Sequence, residues 1–161
     1  MNDYCAIVVD EVEPAAGYLE KINYPKNKIF YFYDLPECLS ENYYDCSSLV
    51  WRCYHSAGVN LGSDSYAPTA AEQGRWCAEH GKVLKYGAMD AAKMLPGDVI
   101  CYSYNGENGR YRNISHIAMF VGYDEYGYAK VVEASTSNDT VLERYYYEND
   151  STIQLIARPT K

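Results

Sequence analysis

Basic charge is scarce in this chain: 14 Lys and Arg face 22 Asp and Glu, giving a formal net charge of −8. No block of Lys or Arg offsets the acidity, and a nucleic-acid footprint needs one, so no nucleic-acid partner is expected. Among the six cysteines there is no CxxC pair, so neither a zinc knuckle nor a thioredoxin-type site is encoded, and no metal or cofactor is expected. No apolar run is long enough to span a bilayer. Nor does a charged-then-apolar leader open the sequence, since Met1 to Tyr4 runs straight into Ile7-Val8-Val9-Asp10. The expectation is a protein made in the cytoplasm without a signal peptide, its thiols reduced by default. Internal repeats and low-complexity tracts are absent. Phe and Trp are few (3 and 2), whereas Tyr numbers 19, scattered from Tyr4 to Tyr147. Tyrosines spread in that way are explained by packing more simply than by a binding groove.

What is present fits one domain over residues 1–161, with 48% hydrophobic and 22% charged residues. Residues 4–22 carry Ile7, Val8, Val12, Ala15, Ala16 and Leu19 at amphipathic spacing, with Pro14 as a kink or restart. An irregular arm over 24–33 ends in Ile29-Phe30-Tyr31-Phe32-Tyr33, and a polar loop then leads to Cys46. From Cys46 the residues Leu49, Val50, Cys53, Tyr54 and Ala57 recur at helical spacing, with Gly58 as the stop. A second helix is predicted from Thr69 to His80, ended by Gly81. The second half changes period. Strands are predicted at Val99–Tyr102, His116–Gly122 and Lys130–Ala134, with Thr140–Tyr147 and Ile153–Arg158 closing the sheet. Helices followed by a run of strands make an α+β pattern, not a doubly wound one.

Cys46 stands at the predicted helix start, where unsatisfied N–H groups and the dipole favour a negative charge. The thiolate is the nucleophilic form of cysteine. A free cysteine is also commonly just a small buried hydrophobe, and Cys46 alone does not decide between the two. A cysteine nucleophile needs a base, and the base needs a group to hold its ring. Three histidines are available. His55 lies on the same helix, about two and a half turns or roughly 13 Å along the axis, out of reach. His80 sits at a predicted helix C-terminus, where dipole stabilisation accounts for it. His116 begins a strand immediately after a loop, where a sheet can present a ring to a helix tip, although a structural role fits it equally. Glu133 is the one charged side chain in Val131-Val132-Glu133-Ala134-Ser135. It either points to solvent or orients the imidazole and stabilises its charged form.

Four motifs occur in order: Tyr44-Asp45-Cys46-Ser47-Ser48-Leu49-Val50, Leu95-Pro96-Gly97-Asp98-Val99, Ser115-His116-Ile117-Ala118-Met119-Phe120-Val121-Gly122 and Val132-Glu133-Ala134. Together they closely resemble the NlpC/P60 cysteine peptidases, in particular catalytic domains of phage endolysins and wall amidases, over roughly residues 15–160. Each motif alone is weak, and their order and separation make the resemblance specific.

The resemblance implies a papain-like α+β core, with N-terminal helices packed on an antiparallel sheet of about five or six strands. It implies Cys46 as nucleophile, His116 as base and Glu133 as orienting group. Asn138, Asp139 or Glu143 are stand-ins for the last, because the family more often has His or another polar residue there. The oxyanion hole would combine the Cys46 N–H with Tyr33, or with Tyr31 as substitute, although Asp34-Leu35-Pro36 replaces the family's usual Trp-Gly-Gly. Asp45 and Ser47 would help to bind the peptide stem. The implied partner is bacterial peptidoglycan, cleaved either between D-glutamate and the diamino acid or between muramic acid and L-alanine. Such a lysin reaches the wall by a phage or lysis-type release. A wall-binding domain would be a separate domain or partner, since none fits this length. The alternative is a papain-like amidase or acyltransferase acting on a non-wall acyl substrate, and a third possibility is a binding module with a vestigial triad.

Overall fold

The computed structural model describes residues 45–135 and 140–160. The helix expected over 4–22, the arm carrying Tyr31 and Tyr33, and the stand-ins Asn138 and Asp139 lie outside the described residues.

Helix α1 (Cys46–Ser56) begins where the sequence places it, for a local reason. Asp45 is the N-cap, its carboxylate accepting the Ser48 N–H at 2.6 Å while the Ser48 hydroxyl accepts the Asp45 N–H at 2.8 Å. This reciprocal capping box satisfies two donors at once. The helix ends as Gly58 takes φ +83°, the Gly58 N–H returns to the His55 carbonyl and the Val59 N–H to that of Tyr54. That is a Schellman ending, which needs a residue tolerant of left-handed backbone at the glycine position. Helix α2 (Ala70–Glu79) has the same design, with Thr69 and Glu72 as the capping box.

Strand β1 (Val83–Tyr86) follows, then β2 (Val99–Tyr102), β3 (His116–Tyr123), β4 (Ala129–Ser135), β5 (Thr140–Tyr145) and β6 (Ile153–Ala157). They form one antiparallel sheet in the order β1-β6-β2-β3-β4-β5. Strand β1 is not among the strands expected from sequence. The other five strands fall where expected, β5 and β6 ending slightly earlier.

Side chains alternate across the sheet. Cys101, Ile117, Met119, Val132, Ala134 and Leu155 join Leu49, Val50, Cys53 and Cys77 of the two helices in one apolar cluster. Ile100, Ala118, Phe120, Val131 and Ile156 build a second cluster, closed by Ala91, Met94 and Tyr146. Strands β2 and β3 are therefore buried on both faces. The Leu95-Pro96-Gly97-Asp98 turn braces this arrangement. Asp98, fully buried, accepts the Leu95 N–H and pairs through both carboxylate oxygens with Arg158, each at 2.7 Å. Tyr54 of α1 donates its hydroxyl to the Gly97 carbonyl at 2.6 Å.

Candidate active site

Helix α1 packs against β3 and β4, and His116 is the first residue of β3. The Cys46 thiol is near enough to the His116 ring there to favour its charged form. Of the four described cysteines, Cys46 alone is partly exposed, while Cys53, Cys77 and Cys101 are buried. Burial raises all three buried thiols, Cys77 to about 12, which keeps them protonated and inert. Exposure thus singles out the thiol that the motif indicates.

On the other side of the ring, His116 Nε2 lies 2.5 Å from Glu133 Oε2. An ionised carboxylate can only accept, so Nε2 carries the proton and Nδ1 is left for Cys46. The pair reaches across β3 and β4: Met119 opposes Val132, which puts Glu133 one step diagonal to His116 on the same face. Both side chains are largely buried, at 14% and 10% exposure. Burial opposes a charged ring, but the nearby Cys46 thiol and the hydrogen bond to Glu133, with the charges of both, outweigh it and hold the His116 pKa at about 9 against 6.5. For Glu133, burial would raise the carboxyl, yet the hydrogen bond and charge of His116, and then Arg144, hold it below its ordinary value.

Three further residues, absent from the sequence reading, complete the surroundings. Arg144 Nε lies 2.8 Å from Glu133 Oε1, so each oxygen of that carboxylate has its own cation. The guanidinium lies 4.8 Å above the Tyr102 ring and donates to the Tyr104 hydroxyl at 3.2 Å. Tyr102 and Tyr104 in turn flank the imidazole, with ring centroids 5.8 and 5.5 Å away. Glu143, one of the stand-ins, is exposed and lies opposite Val132, on the other face from Glu133.

Asp45 and Ser47 are both occupied by the helix start. The Ser47 hydroxyl donates to Asp45 Oδ1 at 2.8 Å, and the same oxygen accepts the Ser48 N–H. Buried Gln73 ties this turn to α2, its amide donating to the carbonyls of Ser47 and Pro68, each at 2.8 Å. The remaining histidines stand apart. His55 is exposed and packs on Trp51, and His80 is exposed, stacked on Trp76. Among the described residues no cluster of His, Cys, Asp or Glu has the makings of a metal site. No helix among them is long and apolar enough to cross a membrane.

A thiol, a ring held by a carboxylate and a carboxylate held by an arginine can perform nucleophilic acyl chemistry with general acid–base assistance. Comparisons with known proteins bear on the family and the fold. The chain matches the NlpC/P60 family over residues 37–155. It is 28% identical over 124 residues to the uncharacterized protein YhbB of Bacillus subtilis (strain 168), covering 67% of this chain and 38% of that protein. Its fold is similar to that of NlpC1 from Trichomonas vaginalis, with a TM-score of 0.63 at 22% identity over 97% of this chain and 47% of that one. It is also similar to the peptidoglycan hydrolase RipB from Mycobacterium tuberculosis, with a TM-score of 0.54 at 16% identity over 94% and 68% of the two chains. The chain thus spans well under half of YhbB and about half of NlpC1.

Proposed function

Because the chain belongs to the NlpC/P60 family, we propose that it is a cell-wall hydrolase that cleaves an amide of the peptidoglycan stem through a Cys46 acyl-enzyme. The observation that carries this reading is the convergence of Cys46, His116 and Glu133 at the tip of α1. Cys46 Sγ attacks the amide carbonyl and the oxyanion forms. The Cys46 N–H, at the first helical position where N–H groups have no intrahelical acceptor, is one donor to it. Tyr33, or Tyr31, is the second. The C–N bond then breaks as His116 gives its proton to the leaving amine. A water, losing a proton to His116, attacks the thioester, and collapse of the adduct releases the acid and restores the thiol. Glu133 holds the ring throughout and stabilises its charged form.

In this reading residues 1–161 act as one catalytic domain, Asp45 and Ser47 border the stem, and attachment to the wall is left to a separate domain or partner. The bond is either D-glutamyl–diamino acid or muramoyl–L-alanine, reached by a phage or lysis-type route. Purified wall incubated with the protein, followed by mass spectrometry of the released fragments, names the bond. Cys46→Ala is expected to abolish release while leaving the circular dichroism spectrum unchanged, and His116→Ala to be equally severe. Undiminished release by Cys46→Ala overturns the mechanism.

A further inference from the structure

We propose that Arg144 is a positioning residue for this site: it anchors Oε1 of Glu133 so that Oε2 is presented to His116. The proposal rests on the reading of Cys46 and His116 as the reacting pair, but not on the identity of the substrate. An arginine on an edge strand is ordinarily a solvated side chain. This one is 25% exposed, and its nitrogens are individually assigned. Nε contacts Glu133 Oε1 at 2.8 Å, one terminal nitrogen donates to the Tyr104 hydroxyl at 3.2 Å, and the other to the Tyr145 carbonyl at 3.3 Å. Its plane is backed by Tyr102, which also flanks the imidazole. The contacts close a ring, from His116 to Glu133 to Arg144 to the two tyrosines and back to His116. Register explains the reach: Val131 opposes Arg144 and Glu133 opposes Leu142, so Arg144 is diagonal to Glu133 on one face of the sheet.

The alternative is that Arg144 acts by charge alone. The two make opposite predictions for His116. If Arg144 only supplies charge, removing it leaves Glu133 in place with its field on the ring less compensated, and the ring binds its proton more tightly. If Arg144 anchors Glu133, its removal lets a buried carboxylate turn away or take up a proton, and the ring loses support.

The test is NMR titration of the histidine side chains, with kcat and KM on purified wall, in wild type, Arg144→Lys, Arg144→Gln, Glu133→Gln and the double variant Glu133→Gln/Arg144→Gln. Arg144→Gln is expected to lower the His116 midpoint below its wild-type value of about 9. It is expected to reduce kcat about tenfold or more, as loss of an outer-shell partner of a functional histidine does, with KM unchanged. Arg144→Lys, which keeps the charge but not the planar fork, should lie between. On the Glu133→Gln background, Arg144→Gln should add little, because two residues acting through one contact are non-additive. A His116 midpoint that stays or rises in Arg144→Gln overturns the proposal, as does an undiminished effect in the double variant. Loss of activity only in proportion to the unfolded fraction makes Arg144 a structural brace and also overturns it. If wild type releases nothing from wall while the His116 titrations behave as expected, the substrate reading fails and the positioning role stands. A wild-type Cys46 that iodoacetamide labels no faster than buried Cys53 removes both.

Discussion

Glu133→Gln tests the electrostatics of the site with almost no change in volume. The wild-type ring titrates at about 9 rather than 6.5, which corresponds to roughly 3 kcal/mol in favour of the charged form. Burial opposes that form, so the favourable contributions of Cys46 and Glu133 together exceed this figure. Glu133 contributes to this through its hydrogen bond and its charge, so removing the charge lowers the midpoint. The amide adds to this. Arg144 Nε–H needs an acceptor, which takes the amide oxygen and turns the NH2 toward His116 Nε2. A donor facing that nitrogen favours the neutral ring with its lone pair there. The expected midpoint therefore lies below 9. NMR of the side-chain carbons reads it directly, because there are three histidines in all and neither His55 nor His80 touches Glu133. The alkaline limb of kcat/KM should move down in parallel, while activity falls without vanishing, since an orienting group is lost and not the nucleophile. A midpoint that remains at about 9, or that climbs, refutes the coupling between carboxylate and ring.

Other outcomes follow from features away from the thiol. Asp98→Ala strands Arg158 and the Leu95 N–H, and breaking a buried pair of this kind costs about 3 kcal/mol in urea denaturation; a loss too small to measure would show that the brace is redundant. Gly74→Ala sets a Cβ 2.9 Å from Ile114 Cδ1 and 3.3 Å from Cys101 Sγ, both in buried residues. The helix gains about 1 kcal/mol from alanine, but overpacking costs roughly 1–3 kcal/mol, so net destabilisation is expected in the same assay and stabilisation contradicts it. Stability should also follow pH through His116. A folded-state pKa raised to about 9 means that this contribution is complete below 6.5 and is lost as pH climbs through 9. Glu133, with a depressed value, contributes above 4.5 and loses its contribution as pH falls through its lower folded value. Thermal unfolding of wild type and His116→Ala across this range checks the first of these, and parallel curves above pH 6.5 count against it.

The start of α1 was legible in sequence because its determinants are local: Asp45 and Ser48 cap it within one turn, and Gly58 ends it. Strands β2 to β4 were equally legible, since their apolar runs are bounded by loops rich in Gly, Asn and Asp. Strand β1 was not. Val83-Leu84-Lys85-Tyr86 is an edge strand with three of its four residues exposed, held through its backbone by β6, so its side chains carry no strand period. Arg144 escaped for a different reason. Its relation to Glu133 depends on the register of β4 against β5, which no spacing along the chain encodes. Gln73 likewise reads as an ordinary helical polar residue until α2 is packed beside the first turn of α1. Leu95-Pro96-Gly97-Asp98 is legible in sequence as a turn and as part of the family resemblance; only the fold shows its buried acid tying the start of β2 to Arg158, just past the end of β6.

The position of β6 also bears on how the molecule is made. It lies between β1 and β2, and among the described strands β1 pairs with no other. As the polypeptide leaves the ribosome, β2, β3, β4 and β5 can zip as successive neighbours, carrying His116, Glu133 and Arg144 into register. Strand β1 must wait for its β6 partner until residues 153–157 emerge and slot into the gap. Arg158 then locks that last insertion onto Asp98. A nascent chain stalled before residue 153 would hold the reactive cluster on an unfinished sheet, so completion of the fold is deferred to its final strand.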